Sequence, residues 1–282
     1  MTRVKNKALS AILTHIAMII TGIIMLYPLI WMIFSSFKTN SELFASIGLF
    51  PKEPVWNSYS QGWKGTGQFT FTAFYKNTFL LVIPTVIFTV FSSALVAYGF
   101  SRFDFKLKKP LLMLVIATLL LPGSVLIIPR YILFNKLGWL NSYLPFIVPS
   151  VFACNSFYIY MLIQFFRGIT KSLDEAATID GCNSFQVFWL ILMPICKSAL
   201  FSAAIFQFIA TWNDFFGPLL YINSVKNYPV SLALRMSLDS TAATKWNQVL
   251  AMSVISLLPG TVIFFSAQKY FVEGVSVGAI KG

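Results

Sequence analysis

The chain has 282 residues, of which 57% are hydrophobic and only 11% charged, with a mean hydropathy of +0.75. That lies far from the roughly 45–50% apolar and 25% charged content of soluble domains, so a water-soluble globular protein is excluded and lipid is the expected solvent. The net charge of +12 would suggest a nucleic-acid partner in a soluble chain; here it is read as membrane topology, with no nucleic acid expected.

The three cysteines, Cys154, Cys182 and Cys196, have no C-x-x-C spacing, so neither a disulfide nor a metal site is expected. No Pro/Ser/Gly-rich linker divides the apolar runs, which points to one domain over residues 1–282.

In chain order, Arg3, Lys5 and Lys7 precede a stretch, residues 10–37, without Asp, Glu, Lys or Arg. It exceeds the ~7–15 residues of a signal-peptide core and is read as a first membrane span. Residues 38–75 form a long polar loop punctuated by Pro51, Pro54, Gly62, Gly65 and Gly67, expected to be structured outside the membrane. Further uncharged runs of bilayer length lie near residues 77–101, 110–129, 143–166, 195–222 and 246–268, the fifth interrupted by Asp214. Backbone polar groups in lipid must be satisfied within the segment, so the expected fold is all-α, with six transmembrane helices.

The link 102–109 carries Arg102, Lys106, Lys108 and Lys109 against a single Asp104. Positive charge in short loops marks the cytoplasmic side, so this link and both termini are expected there, in a multi-pass membrane protein.

Residues 167–194, RGITKSLDEAATIDGCNSFQVFWLILMP, form the one polar stretch with a distinct pattern. Ser172 and Glu175 have capping-box spacing, so a helix is expected from Leu173 to about Asp180, stopping at Gly181, where a left-handed residue is tolerated. Asn183 or Ser184 then caps a second helix whose Phe185, Phe188, Trp189 and Leu192 share one apolar face in need of a partner surface.

This stretch resembles the cytoplasmic signature of the permease subunits of ABC importers: Glu175-Ala176-Ala177, then Asp180-Gly181, then Met193-Pro194. Several other stretches are similar to the maltose-type, carbohydrate-uptake branch of that family. They include SSFKTNSELF from Ser35, AYGFSRFDF from Ala97, LLLPGSVLIIPRY from Leu119, KLGWLNSYLPFIVP from Lys136 and TWNDFFGPLLYI from Thr211. Cys182, Met193 and Ser198 depart from the family pattern.

The resemblance implies that residues 167–194 are a coupling element docking on an ATPase subunit, with Glu175, Ala176, Ala177, Asp180, Gly181, Phe185, Phe188 and Pro194 as its working residues. The tail, with Gly274, Gly278 and Lys281, would reach the same ATPase. A second homologous permease, an ATPase dimer and an external solute-binding protein are the implied partners besides membrane lipid. The implied cargo is a sugar or oligosaccharide; a non-sugar solute or an ion-coupled carrier are the alternatives.

No G-x-x-x-x-G-K-[ST] stretch is present, so ATP and Mg are expected on the partner ATPase, with no cofactor on this chain. H-E-x-x-H, G-x-S-x-G and paired intramembrane carboxylates are also absent, so a membrane-embedded enzyme lacks the residues it needs. Asp214 is either a functional charge within the membrane or an interfacial residue beside Asn213 at a helix end. Asn155, Tyr158 and Gln207, together with Asn213 and Asp214, are the expected substrate path.

Overall fold

The computed structural model describes residues 2–65, 68–238 and 244–279. Its elements are helices: α1 (Thr2–Ser35), α2 (Asn40–Ala45), α3 (Asn57–Trp63), α4 (Phe71–Arg102), α5 (Lys108–Leu119), α6 (Ile127–Lys136), α7 (Leu144–Val151), α8 (Ser156–Gly168), α9 (Ser172–Ile179), α10 (Ser184–Ile195), α11 (Lys197–Trp212), α12 (Phe216–Tyr221), α13 (Val230–Leu238) and α14 (Trp246–Ala279). No strand occurs among the described residues, as the backbone constraint in lipid requires.

Four segments are long and apolar enough to cross a bilayer as they stand: Ala11–Ser35, Phe71–Arg102, Leu144–Gly168 and Trp246–Ser266. The third and fifth expected spans are broken instead. The stretch near 110–129 is α5 followed, after a 100° bend, by a short 3-10 turn and α6. Pro122 explains the break, because it lacks an N–H and its ring crowds the carbonyl four residues earlier. The fifth, near 195–222, is mainly α11, whose 16 residues fall short of the ~20 a straight span needs. It meets α10 at a 77° bend by Cys196, and counting each bent pair as one span brings the total to six.

The chain divides into two compact units, Met1–Phe71 with Leu234–Leu257, and Thr72–Ala233 with Leu258–Gly282. In the first, the described residues of the loop after α1 form local structure. The Thr39 hydroxyl accepts the Glu42 N–H to cap α2, and the Val55 N–H donates to the Phe37 carbonyl at 2.7 Å. Lys38 is fully buried, with its ammonium donating to the Gly48 carbonyl. Asn247, at the start of α14, donates to Ser58 Oγ at 3.1 Å and receives support from Asn40. A Cβ on Gly62 would sit 3.1 Å from the Met252 side chain, so glycine is what lets α3 approach α14 so closely.

In the second unit α4 is the central element. Its buried face carries Thr85, Thr89, Ser92, Ser93, Ala94 and Ala97, small side chains that let neighbouring backbones approach, which is how membrane helices pack without a hydrophobic drive. Ser92 Oγ donates across to the Ser150 carbonyl on α7 at 2.6 Å. Toward the Arg102 end, Ala97 and Phe100 pack with Leu162 and Phe166 of α8, Phe188 and Leu192 of α10, and Ala199 of α11.

Candidate functional site

Two regions of the second unit gather the polar and signature residues. The first is the segment from α9 to α10. Helix α9 ends at Ile179 with Asp180 as its C-cap, after which Gly181 takes φ +89°. The Gly181 N–H donates to the Thr178 carbonyl at 3.1 Å and the Cys182 N–H to the Ala177 carbonyl at 2.9 Å, the paired bonds of a Schellman termination. Asn183 and Gln186 then form a reciprocal capping box at the start of α10, with bonds of 2.9 and 2.8 Å. The expected sharp turn therefore exists, and Asn183 is the capping residue of the two offered by the sequence.

The start of α9 differs from expectation. Lys171 is its N-cap without a side-chain bond, and the Ser172 hydroxyl donates to Thr170 Oγ1 at 3.2 Å rather than closing a box with Glu175. What holds α9 is Arg102, read in the sequence only as a topology charge. Arg102 Nε lies 2.6 Å from Asp174 Oδ2, and Nη1 donates to the Ile169 carbonyl at 3.1 Å. Tyr98, one turn earlier on α4, donates to the Ser184 carbonyl at 2.8 Å. One end of α4 thus ties down both halves of the segment. Burial pushes the Asp174 carboxyl up, against the opposing pull of Arg102 and Lys171.

Half of the expected apolar face of α10 finds its partner inside the chain, while Phe185 and Trp189 stay exposed. Phe188 and Leu192 are completely buried against α4 and α8, so Phe188 acts through packing and not as an exposed docking residue. Ala177 is buried as well. The outward surface includes Glu175, Ala176, Ile179, Asp180, Gly181 and Phe185, with Pro194 exposed at the far end of α10. Ile179 is 87% exposed and is missing from the sequence-derived set, although its place one turn after Glu175 puts it on the same helix face. A Cβ on Gly181 would meet nothing within 4 Å, so inside this chain the glycine is required by φ alone.

The second region is a cavity of about 680 Å³ lined by α4, the α5–α6 break and α6, α7 and the turn after it, Gln207 of α11, and the residues following α11. Asn155, Gln207 and Asp214 of the expected path line it. Tyr158 does not: it is buried elsewhere on α8, its ring 5.2 Å from Phe157. Asn213 is exposed outside the lining, because the chain turns at the end of α11 and sends successive side chains in different directions. Arg130, from α6, lines the cavity and was missed; the bend that brings it there is invisible to a reading of one straight span.

Asp214 lines the cavity and also sits at a helix end. Its Oδ1 accepts the Gly217 N–H at 2.9 Å, stabilising the start of α12, and its own carbonyl accepts from Ser231 Oγ. Gly217 is needed there, since a Cβ would lie 2.4 Å from Asp214 Oδ2 and 2.9 Å from the Phe146 ring. Ala153, with φ +53°, forms the turn between α7 and α8 that presents Asn155 to the cavity. No group of three or more His, Cys, Asp or Glu suited to a metal occurs among the described residues. Gly274 and Gly278 lie on the last turns of the α14 backbone, and Lys281 falls outside the described residues.

Comparison with known proteins agrees with this architecture. The chain is 33% identical, over 91% of its length and 84% of the relative's, to a probable ABC transporter permease protein, YurM, of Bacillus subtilis. It is 32% identical to the trehalose/maltose transport system permease protein MalG of Thermococcus litoralis, over 99% of both chains. Its fold matches a chain in the crystal structure of a bacterial ABC transporter involved in import of the acidic polysaccharide alginate, with a TM-score of 0.84, 21% identity, and coverage of 94% of this chain and 98% of that one. Residues 90–277 match the model of the binding-protein-dependent transport system inner membrane component, a span that holds the cavity lining apart from Thr85 and Thr89, the α9–α10 segment and most of α14. The chain belongs to that family, the multi-pass membrane permeases of ABC importers.

Proposed function

We propose that this protein imports a sugar or oligosaccharide as one of two permease chains around a shared path, driven by a separate ATPase dimer and fed by an external solute-binding protein. The observation that carries the coupling part is the anchoring of residues 167–194. Arg102 and Tyr98 pin α9 and the start of α10 to α4, while Phe188 and Leu192 embed α10 in the core. A push on the exposed face of Glu175, Ile179 and Phe185 would then move α4, whose opposite stretch lines the cavity through Thr85 and Thr89. Sugar as the cargo is supported by relatives named for trehalose/maltose transport, and by a cavity that mixes hydroxyl, amide and aromatic walls.

The orientation that goes with this reading has both termini and residues 102–109 and 167–194 in the cytoplasm, and residues 38–75 outside. ATP and Mg act on the ATPase chains, and the tail carrying Gly274, Gly278 and Lys281 contacts them. Inside-out and right-side-out vesicles containing the whole complex test the scheme. Uptake should require ATP and the binding protein, and a cysteine placed at Ile179 should react only from the cytoplasmic side. Uptake driven by an ion gradient, or external labelling at that position, would reject it.

A further inference from the structure

The cavity lining offers hydrogen-bonding groups of both kinds. Thr85 Oγ1 donates to the Leu81 carbonyl and Ser150 Oγ to the Ile147 carbonyl, so the hydrogen of each hydroxyl is committed and its lone pairs can only accept. Arg130 is a donor without an acceptor atom, and Asn155 commits its carbonyl oxygen to the Phe157 N–H, which leaves its own N–H groups as donors. The formal charges of the lining, Arg130 and Asp214, cancel. An anion could use only the donors of such a wall, and an ammonium only its acceptors. A hydroxyl suits both, because it donates and accepts at once.

Within that wall Gln207, on α11, is the residue with an unmet need. It is 9% exposed, and its Nε2 donates to Thr211 Oγ1 at 2.7 Å, one turn further along the helix. That bond fixes the amide and leaves Oε1 as its other end, buried and without a hydrogen-bond partner among the described residues. A buried acceptor left unpaired is costly, and bulk water does not serve this one. The donor it lacks has to come from a group that occupies the chamber Gln207 lines. We infer that a hydroxyl of the transported saccharide donates to Gln207 Oε1, which makes this amide a specificity-determining group of the cavity. The inference rests on the carbohydrate reading above and deepens it by naming the atom that reads the sugar.

The test uses the complete transporter in lipid nanodiscs, without the binding protein, so that only the membrane chains select. The probes are glucose and the glucoses in which a single non-anomeric hydroxyl is replaced by fluorine, which is close to a hydroxyl in size but cannot donate. In saturation-transfer NMR, at least one fluorinated sugar should bind about fivefold more weakly than glucose, as expected for the loss of one hydrogen bond between neutral groups. Gln207→Met, which keeps the length of the side chain and removes the amide, should abolish that difference. Gln207→Glu, which keeps acceptor oxygens, should retain it. Equal binding of all the probes, a difference that survives Gln207→Met, or one lost in Gln207→Glu as well would overturn the role of Gln207 while leaving carbohydrate import intact. Absence of glucose binding to the unsubstituted complex would overturn it too. Failure of the carbohydrate reading itself would show separately, as ATP-driven uptake by the vesicles that no saccharide saturates.

Discussion

The α9–α10 segment and the cavity lie in the same unit but are built in opposite ways. In the segment, the turn is made by neighbours: Ala177 with Cys182, Thr178 with Gly181, and Asn183 with Gln186. In the cavity, Thr85, Arg130, Asn155 and Asp214 come from four stretches of chain, positioned by a 100° bend, a left-handed alanine and a capping carboxylate. A locally encoded device announces itself by spacing. A site assembled from breaks between helices does not, because each break is a tertiary event.

The contrast has an exception, and the largest expected effect falls on it. The placement of α9 depends on Arg102, more than sixty residues away in sequence. Arg102→Met leaves Asp174 partly buried without its cation, at a cost of about 3 kcal/mol when one partner of a buried pair is removed. The expected outcome is a complex that inserts but has lost transport and ATPase association. Because burial already disfavours the charged form of Asp174, adding Asp174→Leu should recover much of the loss. If the single variant transported normally, the segment would be held by local structure alone and the contrast would become absolute.

Next in size is Gly181→Val. With φ at +89° and open space around the missing Cβ, the penalty is conformational, about 2 kcal/mol for a branched residue in that region. Insertion should be unaffected while uptake falls, as read by membrane abundance alongside transport. Gly217→Ala probes the other region. Its Cβ would collide with Asp214 and Phe146, an overpacking of about 1–2 kcal/mol that displaces the carboxylate from the start of α12. Here the solute concentration for half-maximal uptake should rise while ATPase association stays unchanged, the reverse of the Gly181 pattern. Matching patterns for the two variants would mean that the regions are not functionally separable.

The smallest pair sharpens the local half. Asn183→Ala removes a true capping box and should cost about 1 kcal/mol, whereas Ser172→Ala should change stability by less than about 0.5 kcal/mol, because its hydroxyl touches only Thr170. Thermal denaturation of the purified complex separates them. Equal losses would restore Ser172 to the capping role that its spacing suggests.

Much of this protein was legible before any coordinate. Membrane character followed from composition and an all-α fold from the cost of unsatisfied backbone in lipid. The turn at Gly181 and the cap at Asn183 followed from local chemistry, since each involves residues within six positions of one another. The tertiary structure alone decided which faces are free. Phe185 and Phe188 are equally apolar and three residues apart, yet one is 60% exposed and the other sealed, because α4 and α8 cover only one side of α10. It also decided that runs long enough to be straight spans bend at Pro122 and Cys196, and that Arg130 therefore lines a cavity. Hydropathy measures how apolar a segment is, and neither the direction of a broken helix nor the side of it that a neighbour will cover is contained in that quantity.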